Sequence, residues 1–386
     1  MKVALVHDFL VRAGGAENVL ACFAELFPDA PIYTTFVDKK VIGKRFPELL
    51  DRIRPLPEAQ RLYNILSRIP GIGKIASKLF LPLMGRYIEN IPLMGYDLVI
   101  ANSTAWAHGI VPQARTKMVC YMHSPMRFVW DWFQEYKREL GAKDHTHWKN
   151  ILLTHLLGKA RMWDQVALKK ESLLLCNSDT VRQRIKKFYK RNDAIVIYPP
   201  VDVSAFQAPR SSHPPHKDFF LFTGALTKFK RVDLIVELCN KLKRKLIVVG
   251  DGPEKESLLL RAGPTVEIRG FCSDAEKRKL FQDCRAFIFP TEDDFGIVPL
   301  EAMSCGKPVI AFGKGGARET VIPGITGVLF EEQTIESMEK GLARFYQIED
   351  SFNALTIRKH AQNFSKERFM KEIKSVLRKE LNIIVP

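Results

Sequence analysis

The stretch Pro290-Thr291-Glu292-Asp293-Asp294-Phe295-Gly296-Ile297-Val298-Pro299-Leu300-Glu301 reads as the end of a strand, an acidic loop closed by a glycine, and the start of a helix. Amides around Gly296, Ile297 and Val298 lie open at such a helix start and can bind phosphate oxygens, while Asp293 and Glu301 at either end can accept hydrogen bonds from sugar and ribose hydroxyls. Two duller readings stay open: Glu301 as a first-turn carboxylate complementing the helix dipole, and the acids as an exposed loop. Glu292, Asp293 and Asp294 are contiguous and lead into a glycine and a helix, unlike an Asp-x-Asp metal motif. The helix terminus and Lys230 would then supply the charge a divalent ion otherwise brings.

The same strand, loop and helix pattern recurs outward in both directions. Short apolar runs stand at Lys2–His7, Tyr96–Ala101, Met118–His123, Leu173–Asn177 and Ile195–Tyr198, and again at Phe219–Thr223, Lys245–Val249, Val266–Arg269, Ala286–Pro290 and Pro308–Phe312. Alternation of such runs with helical periodicity predicts α/β domains around parallel sheets. Prolines from Tyr198-Pro199-Pro200 through Pro214-Pro215 interrupt it, since proline fixes φ and removes an amide donor. The expected organisation is an N-terminal Rossmann-like domain over residues 1–200, a linker over 201–217 and a C-terminal Rossmann-like domain over 218–364. The two doubly wound domains should face a central cleft, with a basic amphipathic helix over 365–386 returning to the first.

The bulk numbers fit two folded domains: 386 residues, 46% hydrophobic and 26% charged. Seven scattered cysteines without a C-x-x-C pair point to a reducing compartment and no structural metal. The N-terminal run turns polar too early for a secretory signal and no apolar run is long enough to span a bilayer, so a cytoplasmic location is expected. A formal net charge of +16 implies an acidic partner: nucleic acid, anionic lipid or a phosphorylated substrate. Nucleic-acid binding leaves the acids of 292–301 unexplained.

Three further segments carry candidate chemistry. Gly14-Gly15, after the first strand, brings amides without a Cβ to a helix start, suited to a phosphate or a sugar; a flexible turn would look the same. His123, in Tyr121-Met122-His123-Ser124-Pro125-Met126-Arg127, sits at the carboxyl end of a strand, where open α/β sheets hold ligands, although a structural histidine fits equally. Lys228, Lys230 and Arg231 cluster between a strand and the helical run Val232–Leu242, where cations can meet a diphosphate; the alternative is a solvated basic turn.

Taken together, Gly14-Gly15-Ala16-Glu17, Tyr121 to Arg127, Tyr198-Pro199-Pro200-Val201-Asp202, Lys230-Arg231-Val232-Asp233, Gly250-Asp251-Gly252-Pro253 and Phe295 to Met303 resemble glycosyltransferase family 4. The similarity is greatest to its bacterial O-antigen and polysaccharide mannosyltransferases. The resemblance implies a GT-B fold, a sugar nucleotide bound mainly by the second domain, and retention of anomeric configuration with the leaving diphosphate as base. By motif position, His123 resembles the histidine near the donor sugar, Lys230 the diphosphate lysine and Glu301 the acid that holds the ribose. Phe271 falls in the segment bordering the nucleotide base. Two positions depart from the pattern: Asp293 stands where a glutamate is usual and Ala225 where an arginine is usual, with Glu292 and Lys228 as candidate substitutes.

The expected catalytic residues are therefore His123, Lys230 and Asp293. The donor-binding set is Gly14, Gly15, Lys228, Arg231, Phe271, Glu292, Phe295, Gly296, Ile297, Val298 and Glu301, with no metal and no cofactor. The expected reaction is transfer of a hexosyl group, GDP-mannose favoured as donor, to a lipid-diphosphate-linked saccharide. Leu62–Leu93 mixes Leu, Ile, Phe and Pro with Arg68, Lys74, Lys78 and Arg86 against Glu89, a composition suited to an anionic membrane surface, or to a helix pair packed on its own domain. The location that follows is peripheral, at the inner face of the plasma membrane. The rivals are a UDP-sugar donor, an epimerase on the same fold, and a degenerate transferase that serves as a partner protein.

Overall fold

The computed structural model describes residues 1–69, 83–139, 147–168 and 172–385. These divide into two compact units, Met1–Tyr198 with Met370–Pro386, and Pro199–Phe369.

The first unit is built on β1 (Val3–His7), β2 (Ile32–Thr34), β3 (Ile53–Pro55), β4 (Leu98–Ser103), β5 (Lys117–Met122), β6 (Leu173–Cys176) and β7 (Ile195–Val196). They hydrogen-bond in the order β3-β2-β1-β4-β5-β6-β7, every pair parallel. Strands covered on both faces need apolar side chains at successive positions, and β4 is buried along its whole length. Among the described residues, one core cluster gathers around Val6, Phe36, Ile88, Val99 and Trp106 and another around Cys120, Leu174 and Ile185. Ile373 and Leu377 of the last helix, Lys366–Leu381, are also fully buried.

The second unit repeats the plan with β8 (Phe220–Thr223), β9 (Leu246–Val249), β10 (Val266–Arg269), β11 (Ala286–Phe289), β12 (Val309–Phe312) and β13 (Gly327–Phe330). Their order is β10-β9-β8-β11-β12-β13, again all parallel. Phenylalanines fill the core: Phe222 and Phe289 stack on Phe287, and Phe281 tilts against it. Residues 201–217, read above as a linker, fall within this unit, held by the Val201–Ser365 bridge and by Ala354 N donating to Ser212 O at 2.7 Å.

The strand order reverses between β1 and β4 in one sheet and between β8 and β11 in the other. At such switch points the chain leaves neighbouring strands toward opposite faces and opens a crevice at their carboxyl ends. Gly14–Glu17 and Asn102–Ser103 flank the first reversal. Lys228–Arg231 and Pro290–Glu301 flank the second.

Candidate functional site

In the first unit the helix Gly15–Leu26 starts where Gly14 caps it, and the Glu17 side chain returns to accept from Gly14 N at 2.7 Å. Glu17 also meets His7: Oε1 lies 3.4 Å from Nε2, both residues buried. Burial works against both charges, yet the hydrogen bond and attraction between them prevail, raising the His7 imidazole and, with help from Gly14 N, bringing Glu17 down to about 2. Asp8 is fully buried and accepts from the amides of Thr104, Ala105 and Trp106 at 2.7, 2.9 and 2.8 Å, and from Thr104 Oγ1 and Ala107 N. The first strand thereby fixes the chain as it leaves the fourth.

His123 is the first residue beyond β5, just past the carboxyl end of that strand, as its motif suggests. Its backbone N donates to Ser103 O at 2.8 Å, its ring packs edge-on against Tyr121, and its Nε2 lies 2.7 Å from Asn102 Oδ1. Burial first, then the nearby His7 charge, push its imidazole down to about 3. His123 thus stays neutral under ordinary conditions.

In the second unit Lys230 and Asp293 form an ion pair, Nζ standing 2.6 and 2.8 Å from the two carboxylate oxygens. Thr291 Oγ1 donates to Lys230 O at 3.1 Å, tying the basic turn to the acidic loop, and Gln333 Nε2 donates to Pro290 O at 2.7 Å where that loop begins. Arg231 caps the helix Val232–Lys241 in the left-handed region and turns its guanidinium to Asp233 at 3.3 Å, while Lys228 is exposed.

The helix Ile297–Ser304 begins after Gly296 at φ +84°, and no side chain caps it. Pro299 has no amide, so Ile297 and Val298 present the first-turn N–H groups. Glu301, on the same helix, has both oxygens on Lys277 Nζ at 2.9 and 3.0 Å. Beneath the loop lie Gly315 and Gly316: Gly316 N donates to Asp293 O at 2.9 Å, and a Cβ on Gly316 would stand 2.2 Å from the Phe295 backbone. A backbone approach this close admits only glycine.

The structure therefore brings Gly14, Gly15 and His123 to one end of the first sheet, and Lys230, Asp293 and the Gly296–Glu301 helix start to one end of the second. Phe295 is buried against Phe364, so only its backbone can serve a ligand, and Phe271 is 90% exposed. Glu292 is half-buried in the same loop. Sequence reasoning missed Asn102, Lys277, Gly315 and Gly316. Asn102 stands where a strand ends beside the switch point, and the Gly-Gly pair follows β12; those two positions were the available signals.

Residues 204–368 match the family model described as glycosyl transferases group 1. The matched stretch lies wholly within the second unit. An uncharacterised glycosyltransferase of Methanocaldococcus jannaschii is 26% identical over 226 residues, covering 57% of this chain and 62% of its own length. The O-antigen chain mannosyltransferase C of Escherichia coli is 30% identical over 101 residues, covering 24% of this chain and 27% of its own. The chain thus spans under two thirds of either relative. The structure of Anabaena HepE in complex with UDP superposes with a TM-score of 0.67 at 17% identity, covering 98% of this chain and 100% of that one. The two parallel-sheet, Rossmann-like units are those of a GT-B fold.

Among the described residues, no helix is long and apolar enough to cross a membrane. Of Leu62–Leu93, residues 70–82, with Lys74 and Lys78, lie outside the described ones. Met84, Ile88, Ile91 and Leu93 are buried in the first core, whereas Ile65, Ile69 and Leu83 are exposed alongside Arg68 and Arg86.

Proposed function

We propose that the protein is a retaining, metal-independent hexosyltransferase that moves a hexose from a sugar nucleotide, GDP-mannose first, to a hydroxyl of a lipid-diphosphate-linked saccharide. The observation that carries this reading is the placing of Lys230 and its partner Asp293 beside the uncapped helix start Gly296–Val298, with Glu301 one turn further on. A cation and aligned amides suit a diphosphate, and a carboxylate suits a ribose diol.

In the proposed reaction the bond between the sugar C1 and the diphosphate oxygen breaks while the acceptor oxygen attacks the same face. The diphosphate takes the acceptor's proton. Lys230 and the amides of Ile297 and Val298 meet the charge that develops on the leaving group, which is where preorganised donors lower a barrier most. Lys230 is held by Asp293 until a diphosphate competes for it, after which Asp293 is free to accept from a sugar hydroxyl. The matched O-antigen chain mannosyltransferase supports the mannosyl part of the reading; the exposed apolar and basic residues around Arg68 and Arg86 support work at the inner face of the plasma membrane, with an anionic surface as partner.

A second reading, a UDP-sugar donor, is favoured by one observation: HepE, which shares the fold, was crystallised with UDP. Thermal-shift titration against GDP-, UDP- and ADP-sugars separates the two, since a ligand at 100 times its Kd adds about 2.7 kcal/mol to stability. Under the proposal GDP-mannose gives the largest shift, turnover persists in EDTA, and the product keeps the donor's anomeric configuration. Turnover lost in EDTA and restored by Mn²⁺, or an inverted product, overturns it.

A further inference from the structure

His123 has one ring nitrogen committed and the other open. Asn102 decides which. Its Nδ2 lies 2.9 Å from Ala16 O, and a carbonyl oxygen only accepts, so the amide nitrogen must face Ala16. That leaves Oδ1 facing His123 Nε2 at 2.7 Å. An amide oxygen also only accepts, so Nε2 carries the proton of a neutral imidazole. The strand end that carries Asn102 is held from below: its backbone oxygen accepts from His7 Nδ1 at 2.9 Å, and His7 reaches Glu17, which is fixed on Gly14 N. Asn102 is fully buried, His7 and Glu17 nearly so. His123 is part-buried, and among the described residues its Nδ1 has no hydrogen-bond partner.

We propose that Asn102 is a positioning residue that locks His123 in its Nε2–H tautomer, so that Nδ1 presents a bare lone pair to a hydroxyl of the bound substrate. A lone pair repels phosphate and carboxylate oxygens and accepts from a hydroxyl. This corner of the first unit therefore selects a sugar hydroxyl and not the diphosphate. The inference rests on the glycosyl-transfer reading for the ligand's class, but the tautomer itself does not. The charged groups around the ring are His7, Glu17 and Asp8, all buried on neighbouring strands and the first helix, and none of them offers Nδ1 a proton.

The test is nitrogen NMR of the protein labelled in its nine histidines, with the His123 signals assigned by their loss in His123→Gln. The wild type should show a protonated Nε2 and an unprotonated Nδ1. Asn102→Ala should redistribute the proton between them, and Asn102→Asp, which keeps an acceptor, should keep Nε2 protonated. A proton on Nδ1 in the wild type, or a tautomer indifferent to Asn102→Ala, overturns the proposal. If Asn102→Ala fails to fold, the wild-type tautomer and the Asn102→Asp spectrum still decide. Kinetics add a second readout: one mono-deoxy donor should be disfavoured about tenfold or more by the wild type, and Asn102→Ala should lose that preference. A locked tautomer without any sugar-nucleotide binding would leave this inference standing and sink the glycosyl-transfer reading. Turnover with an unlocked tautomer would do the reverse.

Discussion

Lys230 and Asp293 hold one another, the ammonium standing within 2.8 Å of both carboxylate oxygens across two loops that leave different strands. In the proposed reaction the pair holds a cation where the leaving diphosphate would need it, and keeps it compensated until the diphosphate arrives.

Removing either partner should therefore have opposite effects on product affinity. Lys230→Ala is expected to lower kcat/KM by about 10²–10³ and to weaken the nucleoside diphosphate. Asp293→Asn frees the lysine, so the nucleoside diphosphate should bind tighter while turnover falls. Calorimetric titration with GDP beside steady-state kinetics checks both, and equal weakening in the two variants would contradict the competition.

Gly315 carries the acidic loop on its back. It sits at φ +64°, and a Cβ there would lie 2.3 Å from Asp293 O. Gly315→Ala should cost about 1–3 kcal/mol of stability and also displace Asp293, lowering donor affinity. Gly324, at φ +78° with open space around its Cβ, is the control: Gly324→Ala should show the strain without the loss of affinity. Melting curves and donor titrations of the two variants separate these outcomes.

His123 gives the protein a pH signature. Burial and the His7 charge hold its imidazole down to about 3, whereas an unfolded histidine takes its proton near about 6.5. The folded state resists that proton, so the contribution is complete above about pH 6.5 and shrinks as pH falls toward the folded value. His123→Gln should flatten the fall of Tm between about pH 6.5 and 4. Parallel curves for wild type and variant would contradict the assignment.

Membrane association should be electrostatic and reversible. The exposed Ile65, Ile69 and Leu83 stand among Arg68 and Arg86, a mixture that suits the headgroup region of an anionic leaflet. Vesicles containing phosphatidylserine should capture the protein, and salt near 1 M, where the screening length falls to about 3 Å, should release it. Equal binding to neutral vesicles, or none to anionic ones, would contradict the surface model.

Much of this was legible because α/β switch points concentrate function in contiguous motifs. The run from Ala286 to Glu301 shows its strand, glycine and helix start in sequence order, and the structure keeps that order. The three-residue strands Ile32–Thr34 and Ile53–Pro55 were not legible, being too short for any alternation to register. β13 opens with Gly327, a residue that weakens a strand pattern but is required because a Cβ would lie 1.9 Å from Val309 O. Lys277 and Asn102 escaped for a different reason. Each reaches its partner, Glu301 or His123, through space across more than twenty residues of chain, and one sequence holds no trace of such a pairing.

The central claim is that the second unit binds a sugar nucleotide with Glu301 on its ribose. Titration calorimetry of GDP-mannose against wild type and Glu301→Gln tests it most directly. The substitution keeps size but removes charge and one acceptor, and charge-assisted bonds of about 1.5–3 kcal/mol correspond to a fall in affinity of about 10–100-fold. Lys277, left without its partner, should not restore binding, and the melting temperature should change little. Unaltered donor affinity with a lowered melting temperature would show Glu301 to be a helix-end carboxylate paired with Lys277, and would contradict the account.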